Sequence, residues 1–401
     1  MADQAWESPL PVSKRRSLSR GPAFHTARPM RHALVASLMV AACWGQDPSA
    51  RINQPTDEAE AEAKDYADRM ADAAEYQRNR ATAPPEAFDD GVALEYLARA
   101  RRLLITGHEI RARWKAENGF DEVPYSRYAG DLVRMGLEGA AVQGNLGEVR
   151  SKLFILWLYF PDYPGMGEAM ERALGACEDF QDFASAVHLE EDDPAKVIDL
   201  EGRTVFNSHE SSRLLNFLAL HGDRAGVAPR AALAMARELL LSGNKEDLFT
   251  ARRAYEKFLE DYPATDLTFT ALCEYALSHL VAYRGNHYDV GTLVFAAALI
   301  DQAEIETRGD AERTRVVQAY RRRIRSWHQD RDLAVARWYV ARGVPALFAW
   351  LTMPSGLNDW AAGARTFYRE TRDRDPTSKQ GLAADRELVD LPAPPALGPP
   401  Q

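Results

Sequence analysis

The sequence predicts an all-α protein built as a stack of helical hairpins, and three observations predict it. From Gly91 onward, apolar residues recur at i, i+3 and i+4, the spacing that lines one face of a helix; Ala93, Leu94, Leu97, Ala98 and Leu104 form the first such set. No stretch alternates with a period of two for long enough to require a strand. Finally, ARRAYEKFLEDYP (251–263) is echoed by ARTFYRETRDRDP (364–376). Each has an alanine, an aromatic four residues on, and a proline eight beyond that: Ala251, Tyr255 and Pro263, then Ala364, Tyr368 and Pro376, with Phe258 in the same framework. Alanine lets two helices approach closely. The aromatic one turn later fills the gap on the same face. Proline cannot continue the helix and forces the turn into the next one.

Taken in order, the chain divides into six regions: 1–29, 30–43, 44–90, 91–220, 221–385 and 386–401. The second is MRHALVASLMVAAC. Arg31 and His32 make a short basic lead, 33–42 a run of small or apolar residues, and Val40-Ala41-Ala42 precede Cys43. These are the parts of a secretory signal, and the apolar run is too short to span a bilayer, which takes about 20 residues. V-A-A-C resembles a bacterial lipobox, which implies cleavage before Cys43 and a diacylglycerol on its sulfur. Residues 1–29 hold Pro, Ser and Arg without apolar periodicity, so Met30 is expected to be the true start. A rival reading is a twin-arginine signal around Lys14-Arg15-Arg16, although the apolar run begins well downstream of it. Trp44 is not the aspartate that retains lipoproteins in the inner membrane, and so points to the outer membrane.

Residues 44–55 read as a polar tether. EAEAEAKDYADRMADAAEYQRNRA reads as an exposed helix or a partly disordered arm, ended by Ala83-Pro84-Pro85. Two helices are expected in 129–160, split near Gly144-Asn145, and LFILWLYF (153–160) is expected to be a fully buried helix segment stopping at Pro161. EEDD (190–193) lacks calcium-loop spacing and reads as a solvated loop. A further unit is expected from a helix at 266–284 and a second at 292–307 ending at Gly309. Ala346 and Trp350 keep the four-residue spacing, but Pro354 comes one helical turn early. LPAPPALGPPQ (391–401) reads as an extended tail.

The 401 residues carry a net charge of −10 and are 46% hydrophobic. Residues 1–43 hold six Lys/Arg against two Asp/Glu, so the remainder is more acidic still, which argues against nucleic acid as a partner. Cys177 and Cys273 are too few for a disulfide framework and read as small buried residues, with a single bridge left open. His108-Glu109 begins an HExxH pattern that fails at Ala112, and Ser208-His209-Glu210 are merely adjacent. No CxxC, GxGxxG or GxxxxGKS occurs. The expectation is therefore a binding protein without catalytic residues, cofactor or metal. A hydrolase site in the N-terminal half would require titratable groups converging in a pocket.

The Ala–aromatic–Pro copies resemble the second helices of tetratricopeptide repeats. Several segments in order resemble the BamD-type outer-membrane assembly lipoproteins: ARRAYEKFLEDYP, then AYRGNHYDVGTLVFAAALIDQ (282–302) with Tyr288-Asp289, then LAVARWYVARGVPALFAW (333–350) with Ala336, Trp338, Tyr339, Arg342 and Gly343. The resemblance covers roughly 225–380. It departs at 343–354, where a turn is missing, and in the N-terminal half, which lacks clear copies. It implies a lipid-anchored scaffold at the periplasmic face of the outer membrane, binding a β-barrel insertase or unfolded outer-membrane proteins. The alternative is a tetratricopeptide-repeat envelope lipoprotein coordinating peptidoglycan or Tol-type systems. Arg321, Arg322, Arg323 and Arg325 form a basic run that is either a solvated helix face or a docking patch for acidic segments of the insertase.

Overall fold

Helix starts and stops are written locally in the chain. Asp89 accepts hydrogen bonds from the Gly91 and Val92 amides, Asn145 from Glu148 and Ser378 from Gly381, each satisfying backbone donors that a first helical turn leaves open. Gly144 (φ 68°), just past a helix that stops at Val142, and Gly309 (φ 83°), in the loop after a helix that stops at Ile305, both take the left-handed region, at the two breaks the sequence predicts. The computed structural model describes residues 56–179, 181, 186–191, 193, 196–198, 208–242, 245–285, 290–307, 309–343 and 360–391. The signal segment with Cys43, the tether, Tyr288-Asp289, Ala346, Trp350, Pro354 and nearly all of the Pro-rich tail lie outside these residues.

Among the described residues there are fourteen α-helices. They are α1 (Thr56–Thr82), α2 (Asp90–Ile105), α3 (Glu109–Glu122), α4 (Ala129–Val142), α5 (Leu146–Tyr159), α6 (Met166–Glu178), α7 (Ser208–His221), α8 (Val227–Leu241), α9 (Lys245–Asp261), α10 (Thr268–Ala282), α11 (Val290–Ile305), α12 (Ala311–Gly343), α13 (Trp360–Arg374) and α14 (Lys379–Val389). No strand is described; Val187 and Ile198 form one isolated bridge.

The chain divides into two units, Met1–Ala74 and Glu75–Gln401, with the division inside α1. In the first unit, the described helix carries an ion pair one turn apart, Arg69 to Asp65 at 3.0 Å. In the second unit the end of α1 is held down rather than free. The Tyr76 hydroxyl donates to the Pro124 carbonyl at 2.6 Å, its ring stacks on Tyr159 at 4.7 Å, and the Gln77 amide donates to the Tyr159 carbonyl.

Within the second unit the helices from α2 onward pack on their chain neighbours, and α2 with α4, α4 with α6, α5 with α7, α6 with α8, α8 with α10 and α12 with α14 also pack two along. The even-numbered helices α2, α4, α6, α8 and α10 touch in succession, which is the signature of stacked hairpins. The architecture is all-α, a helical-hairpin solenoid. Its largest core runs from α8 to α12 and centres on Tyr255 and Phe258 of α9, both essentially inaccessible to solvent. Ala251 and Ala364 are fully buried, as expected for residues that set close helix approach. A smaller cluster joins Leu333 and Ala336 of α12 to Ala364 and Tyr368 of α13 and Ala384 of α14.

One feature differs from the sequence reading. LFILWLYF is not fully buried: Leu153 and Leu156 are, while Phe154 and Trp157 are half-exposed and lie against Phe217 of α7, at 4.7 and 5.4 Å. A helix between two neighbours hides one face, and continuous apolarity does not change that geometry. Ala336–Gly343 completes α12, a continuous helix of 33 residues.

Candidate partner-binding surface

The two repeat copies occupy equivalent places, α9 and α13, and each tyrosine sits in the same three-residue arrangement. The Tyr255 hydroxyl donates to Glu274 at 3.2 Å, and Arg237 donates to the other oxygen of that carboxylate at 2.7 Å. The Tyr368 hydroxyl donates to Glu387 at 2.7 Å, and Arg337 grips the same carboxylate through two nitrogens at 2.5 to 3.2 Å. In both copies the glutamate follows its tyrosine by nineteen residues and lies on the next helix, while the arginine comes from the preceding helix. Each triad therefore ties three consecutive helices together. The two glutamates and two arginines were missed in the sequence. The equal tyrosine-to-glutamate spacing was the signal that could have found them.

Beside the first triad, side chains of α9, α10 and α11 form a continuous strip of rings. Tyr255 stacks with Tyr275 at 6.2 Å, Tyr275 meets His279 at 5.3 Å, and His279 lies parallel to Phe295 at 5.6 Å. The strip passes from buried to bare: Tyr275 and His279 are half-buried, Phe295 is 62% exposed, and Val294 beside it is exposed too. Burial, the Glu256 carboxylate and, in opposition, the Arg252 guanidinium act on the Tyr275 hydroxyl, raising its pKa overall. Charges of both signs thus flank the rings. An exposed phenylalanine held in place by a stacked imidazole offers an apolar anchor point at low entropic cost.

The basic run behaves as individual residues. Arg321 is taken up by Asp301 and Glu304 of α11, each at 2.5 Å. Arg323 is buried; it donates to the Leu189 carbonyl and lies over the Trp327 ring at 5.6 Å. Arg322 and Arg325 remain exposed. Pro263 and Pro376 stand just past the ends of α9 and α13.

Glu210 pairs with Arg150 at 2.8 Å and with Arg213 at 3.6 Å. His108 is the exposed residue before α3. Cys177 and Cys273 are both free and buried, and burial pushes each thiol up to about 12, far from the thiolate a nucleophile needs. Between α3, α4 and α5 lies a cleft of about 300 Å³ whose Lys152 pairs with Glu117 at 2.8 Å. Among the described residues no group of His, Cys, Asp or Glu is arranged to hold a metal ion, and no helix is long and apolar enough to cross a membrane. No protein-family model matches the chain, and no curated protein matches it.

Proposed function

We propose that this protein is a lipid-anchored periplasmic scaffold of the outer-membrane β-barrel assembly machinery, binding the barrel insertase or its unfolded clients. The observation that carries the reading is the ring strip on α9, α10 and α11. It lies within the region, roughly 225–380, that resembles BamD-type lipoproteins, and it presents Tyr275 and His279 from α10, the first helix of its hairpin. Grooves of stacked hairpins bind extended or helical peptides through such residues. In this reading the α9 and α13 hairpins are tetratricopeptide-like repeats, and acylated Cys43 supplies the membrane anchor.

The test is an affinity pull-down from detergent-solubilised envelopes, with partners identified by mass spectrometry. A stoichiometric β-barrel insertase, lost with Phe295→Ala and His279→Ala, supports the assembly-scaffold reading. An insertase captured equally well by both variants removes the ring strip from it. The alternative, a tetratricopeptide-repeat envelope lipoprotein coordinating peptidoglycan or Tol-type systems, draws on the stacking from α2 to α8, which extends beyond the segments carrying the resemblance. Peptidoglycan or Tol-type partners without an insertase would establish it. Separately, Cys43→Ala is expected to release the protein from membranes, and unchanged fractionation would sink the lipoprotein part.

A further inference from the structure

The α2–α3 hairpin leaves large apolar side chains in solvent at a place where its charge is strongly positive. Ile105, the last residue of α2, is 79% exposed. Ile110 and Trp114, one turn apart on α3, are 54% and 58% exposed. They point away from the core because Ala112, Ala116 and Gly119 occupy the buried face of that helix. Arg101, Arg102 and Arg111 are exposed around them with no side-chain partner among the described residues. A second loop reaches the same end of the stack. Gly139 packs so closely on α3 that a Cβ there would sit 3.2 Å from the Glu109 carbonyl, which brings exposed Val142 to the start of α3.

Charge is graded along α3. After Glu109, its first half carries Arg111, Arg113 and Lys115, and its second half Glu117, Asp121 and Glu122. Residues 100–115 hold five Lys/Arg against one Glu in a chain whose net charge is −10. We propose that this end of the stack docks onto an anionic phospholipid surface, with Ile105, Ile110 and Trp114 entering the headgroup layer and Arg101, Arg102 and Arg111 meeting lipid phosphates. Tryptophan and isoleucine beside arginine are the side chains that settle at a membrane interface, where the ring and alkyl groups leave water and the guanidinium keeps its charge paired. All three apolar side chains are more than half exposed, which suits insertion into lipid. The acidic remainder of the molecule would be repelled by the same surface, so the field fixes which end approaches. This contact is independent of the partner proposed above and of the acyl anchor.

The experiment is vesicle flotation of the full chain carrying Cys43→Ala, which removes the acylation site. The probes are phosphatidylethanolamine vesicles with and without phosphatidylglycerol. Binding is expected only with phosphatidylglycerol and should weaken steeply with salt. Arg101→Ala, Arg102→Ala and Arg111→Ala together should lower the partition coefficient on the order of 100-fold, about fivefold for each arginine near the surface. Ile110→Ser with Trp114→Ser should lower it severalfold with the arginines intact. All these side chains are exposed, so circular dichroism and the melting temperature should stay at parental values, and the salt dependence of the parent provides a test that needs no variant. Equal binding to neutral and anionic vesicles, or unchanged binding by the triple variant, would overturn the proposal. Binding to soluble polyglutamate without binding to vesicles would overturn it in favour of an acidic protein partner.

Discussion

Arg237, Glu274 and Tyr255 in one hairpin unit, and Arg337, Glu387 and Tyr368 in another, make the same contacts with opposite electrostatic results. Glu274 is 2% exposed at its place in the large core, and burial pushes its carboxyl up to about 7 against the opposing pull of Arg237 and Tyr255. The Glu387 side chain is 32% exposed, and the hydrogen bond from Arg337 holds its carboxyl below the ordinary glutamate range despite partial burial. Identical partners therefore do not fix what an ion pair contributes. In the first unit desolvation exceeds the attraction; in the second, solvent keeps desolvation small and the hydrogen bonds prevail. The tyrosines do not diverge in this way, since burial raises both hydroxyls.

The comparison breaks most visibly at its largest side chains. Tyr255→Ala empties a site in the extended α8–α12 core and should cost about 3–5 kcal/mol in urea denaturation. Tyr368→Ala, in a cluster of far fewer buried residues, should cost less, about 2–3 kcal/mol. Equal losses would mean that the two units share one cooperative core.

Next in size is the pH dependence. A carboxyl whose folded pKa is raised stabilises fully below its ordinary value, and that contribution is lost as pH rises through about 7. Glu274→Gln fixes the neutral form, so stability relative to the parent should rise between about pH 4.5 and 7, by on the order of 3 kcal/mol. Glu387, with a lowered folded pKa, contributes above the ordinary glutamate range and loses that contribution as pH falls through its folded value. Glu387→Gln should therefore cost about 1 kcal/mol at neutral pH, a cost that fades on acidification. Burial lowers His221 and His328 to about 4, which makes the parent lose stability as pH falls from 6.5, but this is common to parent and variants and cancels in the difference. Slopes of the same sign for the two glutamine variants would contradict the role given to burial.

The smallest effects sharpen the reading of the basic run. Arg321→Ala removes half-exposed ion pairs and should cost under about 1 kcal/mol. Arg323→Ala leaves the partly buried Leu189 carbonyl without its donor and uncovers the Trp327 ring, and should cost about 1–3 kcal/mol by thermal melting.

These contrasts also mark what was legible in the chain. Helix breaks at Gly144 and Gly309 and the Ala–aromatic–Pro framework were readable because each is a local event. The triads were not, because arginine, glutamate and tyrosine come from three helices and none is unusual alone. The run at 321–323 suggested one patch, yet neighbours on a helix differ by about 100° in direction, which sends Arg321 to α11, Arg322 to solvent and Arg323 inward. Periodicity likewise identified α2 as amphipathic but could not show that Ile105 would be left bare at its end. That depends on where the next helix turns back.

Helix α12 runs unbroken from Ala311 to Gly343, about 50 Å at 1.5 Å per residue. Its first half supplies Val317, Tyr320, Ile324 and Trp327 to the large core, and its second half supplies Leu333 and Ala336 to the small one. At the junction, Gln329 donates to the Thr371 and Asp375 carbonyls, and buried Asp332 holds Arg374 at 3.2 Å. Mechanically this is a shaft keyed to its housing at both ends and at the middle. A twist applied to the α9–α11 face must either turn the α13–α14 pair with it or shear the keys at 329 and 332, so strain introduced at one end would be felt as rotation at the other.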